Sequence, residues 1–319
     1  MKRILVKVVP FVFLLTITYQ FLHNPFTTSF VEDLKVDTLT VSKQKDSLYV
    51  EIQQKSKQYE IEPKDARVDK VWKLVPGYNG LKVDVEASYK SMKKFGAFDE
   101  SKLIYKQVKP NVHLSDLPAQ PIYRGHEEKP MVSFIINVAW GNEYIPQMLD
   151  TLKKHHVKAT FFLEGRWVKN NPDMTKVILD AGHEVGNHSY SHPNMATLTN
   201  ARSREELVKT NDVMKSITGE DNKWFAPPSG SYRQETVDVA AELKMGTIMW
   251  SVDTIDWQKP QPDVLIQRVM SKIHPGAIIL MHPTESTATS LDTLIQKIKS
   301  KQLEISNVST LLDEQRIIK

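Results

Sequence analysis

Residues Met131–Leu163 read MVSFIINVAWGNEYIPQMLDTLKKHHVKATFFL. Met131–Val138 is a nearly continuous apolar run, which predicts a strand buried on both faces. Ile145–His155 carries its apolar residues at helical spacing, and Val157–Leu163 returns to strand character. Strand, helix and strand in this order predict parallel strands joined by a crossover helix. The alternation runs on to the C-terminus. Pro172–Ala181, Glu205–Ile217, Thr236–Leu243, Pro262–Ile273 and Ser290–Ser300 are helix candidates, and Glu184–Gly186, Thr247–Val252 and Ala277–Met281 are short strands. Residues 130–319 are therefore read as α/β, a distorted (β/α) barrel with room for fewer than eight full units.

In such barrels the working side chains sit where strands end and loops begin. The polar candidates obey that rule. Asn137 closes the first strand, His188 follows Glu184–Gly186, Asp253 and Asp256 follow Thr247–Val252, and His282 follows Ala277–Met281.

The strongest local signal is His188-Ser189-Tyr190-Ser191-His192-Pro193. Two imidazoles four residues apart on a tight segment can share a divalent metal such as zinc or cobalt. The pair alone would equally suit two surface histidines. Its neighbours decide between these readings: Gly182-His183-Glu184-Val185-Gly186-Asn187 runs straight into it. Tyr144-Ile145-Pro146 and Val157-Lys158-Ala159-Thr160-Phe161-Phe162 precede it, and Phe225-Ala226-Pro227-Pro228-Ser229-Gly230 follows. Trp250-Ser251-Val252-Asp253-Thr254-Ile255-Asp256-Trp257 and Gly276-Ala277-Ile278-Ile279-Leu280-Met281-His282 complete the set.

In this order and spacing the motifs resemble the NodB-type polysaccharide deacetylases, carbohydrate esterase family 4, and within them a group of probable sporulation proteins of bacilli. The likeness covers about Met131 to Ile305. It implies a NodB-type barrel and hydrolysis of N-acetyl groups, a carbon–nitrogen bond outside peptides, on peptidoglycan or a chitin-like glycan. It also implies that His188 and His192 bind the metal and that Asp256 orients His282 as general acid. Leu280 would line the pocket for the acetyl methyl, with Trp257 and Tyr232 along the sugar groove. The backbone N–H of Ser229 would face the developing oxyanion, a role that does not depend on the side chain. The chemistry needs a metal-activated water, a carboxylate base and an imidazolium acid.

Three positions depart from the family pattern. Its first motif is Thr-Phe-Asp-Asp-Gly, and the chain has Ile135-Ile136-Asn137-Val138-Ala139. The catalytic-base position is thus Asn137, and the third metal-ligand position is Val138. The family arginine that holds the base is replaced by Ala226, and without its carboxylate partner a buried guanidinium would cost several kcal/mol. A two-histidine site without carboxylates is expected to bind a divalent metal, zinc or cobalt, weakly or not at all. Removing a general base costs about 10²–10⁴ in rate. Three readings stay open: a deacetylase of low activity, a catalytically silent glycan-binding or scaffolding protein, and an altered metal-dependent hydrolase. Glu143 or Asp253 could supply a substitute carboxylate. Trp140, Trp257 and Tyr232 could stack on sugar rings, whereas Trp167, Trp224 and Trp250 read as packing residues.

The 319 residues are 40% hydrophobic and 25% charged with a net charge of +4, ordinary for a globular chain. Nothing resembles a basic stripe with interleaved aromatics, so nucleic acid is not an expected partner. No cysteine is present, which excludes disulfides. Met1-Lys2-Arg3 and Lys7 precede the apolar run Val8–Leu22 (VVPFVFLLTITYQFL), so residues 1–23 read as a signal peptide or membrane anchor. The body is therefore expected outside the cytoplasm, anchored or secreted, in a bacterial cell envelope. Residues 24–65 read as a tether carrying a helix over Asp46–Tyr59. Residues 66–107 read as a small α+β domain, with strands Val68–Leu74 and Leu81–Val85 around the turn Pro76–Gly80 and a helix over Tyr89–Phe95. The proline-bearing residues 108–129 read as a connector.

Overall fold

The computed structural model describes Thr18, Tyr19 and residues 46–318. The rest of the Val8–Leu22 run, and most of the expected tether, lie outside the described residues. No helix among the described residues is long and apolar enough to cross a membrane.

The chain divides into two compact units. One runs to Ile61 and resumes over Leu81–Lys106, and the other comprises Glu62–Gly80 with the chain from Gln107 on. This division differs from the one expected. In the smaller unit, helix Ser47–Ser56 buries Leu48 and Ile52 against Val83, Tyr89, Met92 and Leu103. It is core material rather than part of a tether. Helix Val85–Met92 starts earlier than expected because Asp84 caps it, accepting from the N–H of Ala87.

The expected hairpin around Pro76–Gly80 does not form. Arg67–Asp69 pairs antiparallel with Lys73–Val75, and Asp69 Oδ1 accepts the N–H groups of Val71 and Trp72 at 2.7 and 2.8 Å. A side-chain-closed turn at Asp69 thus takes the place of the Pro-Gly turn. Gly80–Val83 pairs instead with Tyr105–Val108.

The larger unit carries an eight-stranded sheet among its described residues: β1 Met131–Val138, β2 Thr160–Leu163, β3 Glu184–Asn187, β4 Trp224–Phe225, β5 Gly246–Thr247, β6 Val252–Asp253, β7 Ile278–Met281 and β8 Glu304–Ser306. All pair in parallel in the order β6-β7-β1-β2-β3-β4-β5, and β8 pairs with the first three residues of β1. The helices are α1 Ile145–Lys154, α2 Gly165–Asn170, α3 Pro172–Asp180, α4 Asn200–Thr218, α5 Gln234–Glu242, α6 Pro262–Lys272, α7 Glu285–Ser300 and α8 Val308–Leu312. The result is a curled half-barrel of the (β/α) type. The single strand expected over Thr247–Val252 is two, β5 ending at Thr247 and β6 beginning at Val252.

Part of the expected connector belongs to this fold. Ile122 N–H donates to Thr247 O, Met249 N–H donates to Ile122 O, and Gly125 N–H donates to Gly276 O, each at 2.8 Å. Strand β1 is buried throughout because both its faces meet apolar layers. Val132, Phe134, Ile136 and Val138 pack in the helix-side cluster, while Met131 and Ile135 pack with Phe162, Ala226, Ile248 and Leu280. Each such side chain stabilises the fold by about 1.5–3 kcal/mol. The alternation leaves Asn137 on the second of these faces, at the C-terminal end of the strand.

Candidate active site

The carboxyl ends of the strands open on a cavity of about 460 Å³. It is lined by Asn137, Ala139, Trp140, His188, His192, Ser229, Trp250, Asp253, Trp257, Leu280 and His282.

The two histidines leave β3 on one tight loop, in which Ser189 and His192 take φ of 62° and 55°. Such a left-handed backbone needs external support. Glu206, in the middle of α4 and buried, provides it. Its Oε2 accepts the N–H groups of Tyr190 and Ser191 at 2.9 and 2.8 Å, and its Oε1 accepts Ser191 Oγ–H at 2.8 Å. Asn187 adds a second clamp: Oδ1 accepts Ser189 N–H, and Nδ2 donates to Leu207 O and Asn211 Oδ1. Neither clamp is evident from the sequence: a carboxylate within a helix otherwise reads as surface, and Asn187 stands there only as the last residue of the motif before His188.

The imidazole rings of His188 and His192 lie 5.1 Å apart, edge to face. His188 Nδ1 sits 2.7 Å from the backbone oxygen of Ala226. A carbonyl only accepts, so Nδ1 carries the hydrogen and Nε2 keeps its lone pair. Burial, with a smaller contribution from His192, pushes His188 down to about 3. Desolvation also lowers His192. Both are neutral imidazoles at neutral pH, the form that binds a metal.

On the opposite wall Asp256 is fully buried and accepts three hydrogen bonds: from His282 N–H at 2.6 Å, His282 Nδ1 at 2.8 Å and Thr287 Oγ1 at 2.5 Å. Asp256 thereby fixes the His282 ring. The Trp140 ring lies parallel to it, with 6.1 Å between centroids and 7° between planes. Ser229 sits in the turn Pro228–Gly230 with φ 53° and lines the cavity. Gly230 must be glycine there, because a Cβ would stand 2.6 Å from the Trp250 ring and its φ is +66°.

Asn137 is 4% exposed, and its Oδ1 is the only cavity-lining side-chain atom that is buried without a hydrogen-bond partner among the described residues. Val138, the expected ligand position, is fully buried in the helix-side cluster and does not line the cavity. Asp253 does line it, with Oδ1 accepting Ile255 N–H, whereas Glu143 lines a neighbouring cavity. No group of three or more His, Cys, Asp or Glu side chains able to hold a metal ion occurs among the described residues. The donor set falls short of a three-ligand centre by one acid. Tyr232 departs from expectation, its hydroxyl lying 2.8 Å from that of Tyr123 and its ring outside the cavity lining. Trp167 and Trp224 are structural, their indole N–H groups donating to Asn142 and to Glu184 and Ser309.

Comparison with known proteins fits this geometry. The family model for polysaccharide deacetylase matches residues 124–248. The peptidoglycan-N-acetylmuramic acid deacetylase PdaA of Bacillus subtilis is 32% identical over 61% of this chain and 76% of its own length. The chain belongs to the polysaccharide deacetylase family. Members of this family are generally metal-dependent. YlxY of Bacillus subtilis is 55% identical over 98% of this chain and 99% of its own length. Among solved structures, wild-type BA3943 of Bacillus anthracis, a CE4 family pseudoenzyme, is 59% identical with a TM-score of 0.81, covering 86% of this chain and 97% of that one. A mutant of BA3943 with restored enzymatic activity is similar at 58% identity and the same TM-score.

Proposed function

We propose that this chain is a deacetylase-family protein of the bacterial cell envelope that holds an N-acetylated glycan in the β-strand-end cavity and hydrolyses it weakly or not at all. The observation that carries the reading is Asn137. At the base position stands an amide, which cannot take up a proton; Asn137 lines the cavity and its buried oxygen has no hydrogen-bond partner among the described residues. The rest of the apparatus remains: the neutral His188–His192 pair, the Asp256–His282 pair, the Ser229 backbone and Leu280. The retained groove can bind an acetamido sugar while the proton-abstracting step lacks its base.

Peptidoglycan is the favoured glycan, because PdaA acts on it. A divalent ion, zinc or cobalt, would be held by His188 and His192 alone and therefore weakly. The apolar run Val8–Leu22 favours export or anchoring at the membrane, and the likeness to YlxY is consistent with the sporulation role that the family group suggests.

The test is acetate release from chitooligosaccharides and peptidoglycan, with zinc or cobalt supplied. The expected result is release near background, rising in Asn137→Asp. Robust release by the native protein that His188→Ala abolishes would favour an active enzyme instead, with Asp253, the one carboxylate beside Asn137 in the cavity lining, as its base.

A further inference from the structure

The antiparallel pair Arg67–Asp69 and Lys73–Val75 is joined by a short turn that leaves apolar side chains in water. Val71, in the turn, is 70% exposed, the highest value among the large apolar side chains of the described residues, and Val68 is 52% exposed. Trp72 is half-buried beside Val71, its ring 6.1 Å from that of His274 and 5.5 Å from the Arg124 guanidinium. The turn is tied down. Asp69 Oδ1 accepts the N–H groups of Val71 and Trp72, Leu74 N–H donates to Pro121 O at 3.1 Å, and Lys73 takes φ 58°. Left-handed backbone at a non-glycine residue costs energy, yet this turn places two valines in solvent rather than in a core.

The charges around the tip do not balance. Arg67 pairs with Glu127 at 2.8 Å, and Asp69 and Arg124 attract one another. Lys70, exposed, and Lys73, half-buried, form no ion pair among the described residues, so two ammonium groups are in excess beside the valines. Apolar tips, an indole and lysines on long apolar stems match the boundary of an anionic bilayer. There the tips enter the acyl region, the indole sits at head-group depth and the lysines meet phosphate. An apolar protein face would cover the valines but leave the ammonium groups without counter-charge. We propose that the hairpin tip Val68–Lys73 docks on an anionic phospholipid surface, as a membrane contact separate from Val8–Leu22. This rests on the reading of Val8–Leu22 as the segment that brings the chain to the membrane.

Because the chain has no cysteine, Val71→Cys provides a single position for a nitroxide label, and Val177→Cys, at a 49% exposed valine of α3, provides a control. Each labelled full-length protein is reconstituted into phosphatidylglycerol or phosphatidylcholine vesicles. Paramagnetic resonance then compares collisions with oxygen, which concentrates in lipid, and with a water-soluble nickel complex. In phosphatidylglycerol the label at 71 is expected to move from the nickel-accessible to the oxygen-accessible range while the label at 177 stays with nickel. In phosphatidylcholine both are expected to stay with nickel. Lys70→Gln is expected to weaken the contact about fivefold, and added salt to weaken it further. Protein that associates with phosphatidylglycerol vesicles while the label at 71 stays aqueous overturns the hairpin contact and leaves the reading of Val8–Leu22 standing. Protein that associates with neither vesicle overturns both. Labels at 71 and 177 that move together, or shielding at 71 that grows with protein concentration in detergent without vesicles, also overturn the proposal, the last by assigning the tip to a second copy of the chain.

Discussion

Strand β3 has a histidine at each end, and the two ends have opposite characters. At the start, His183 Nδ1 accepts Ala159 N–H at 3.1 Å, and burial holds its pKa down to about 4. Beside it, Glu184 accepts from Thr160 Oγ1, Trp224 Nε1 and both the N–H and Oγ of Ser309, while Thr160 Oγ1 accepts Val308 N–H. Each of these donors finds its acceptor within the fold. At the finish, His188 faces a cavity in which Asn137 Oδ1 has no partner. Both ends border a cavity, but the first ties its polar groups to one another within the fold, whereas the second leaves the Asn137 oxygen without a partner.

The comparison breaks most sharply if the second end can be made to work. Asn137→Asp, strengthened by Ala226→Arg and Val138→Asp, is expected to raise acetate release by about 10²–10⁴. Because Val138 packs among apolar side chains, an aspartate there carries a desolvation cost, and Asn137→Asp alone is the cleaner variant. A folded triple variant that stays inert with metal supplied would refute the assignment of these positions.

Glu184→Ala strikes the first end, stranding several donors. It is expected to cost roughly 3 kcal/mol in denaturant unfolding while folded protein still binds glycan. Glu206→Ala should cost about 2 kcal/mol and also loosen the His188–His192 loop, visible as shifted imidazole NMR signals. In Glu206→Gln one amide oxygen can still accept the two backbone N–H groups, so most of the loss should be recovered. If Glu206→Ala leaves the imidazole signals unmoved, the carboxylate does not position the pair.

A further test is of pH dependence. His183 and His188 both have folded-state pKa values below the ordinary 6.5, so the unfolded chain binds more protons between those values. Their contribution to stability is complete above about pH 6.5 and falls on acidification toward pH 3, by at most roughly 1.4 kcal/mol per pH unit for each group. Replacing either by Gln should flatten the slope, and stability that rises on acidification through that window would contradict both assignments.

The chain itself determined the parallel α/β architecture and most of the strand-end candidates. Apolar runs and helical spacing are local, and a residue that follows a strand stays at its end however the strands are arranged. The resemblance to the deacetylase family likewise marked Asn137, Val138 and Ala226 as departures, since losing a carboxylate is visible in one letter. Only the tertiary structure decided what joins across distance. It chose the turn at Asp69 over the Pro-Gly turn, tied Ile122 and Gly125 to the barrel, and put helix Ser47–Ser56 in a core. It also brought Glu206 under the histidine loop, turned Tyr232 away to Tyr123, and set Trp140 against His282. Each outcome depends on which partner a group meets, and a hydrogen bond or a packed face is a property of the pair rather than of either residue.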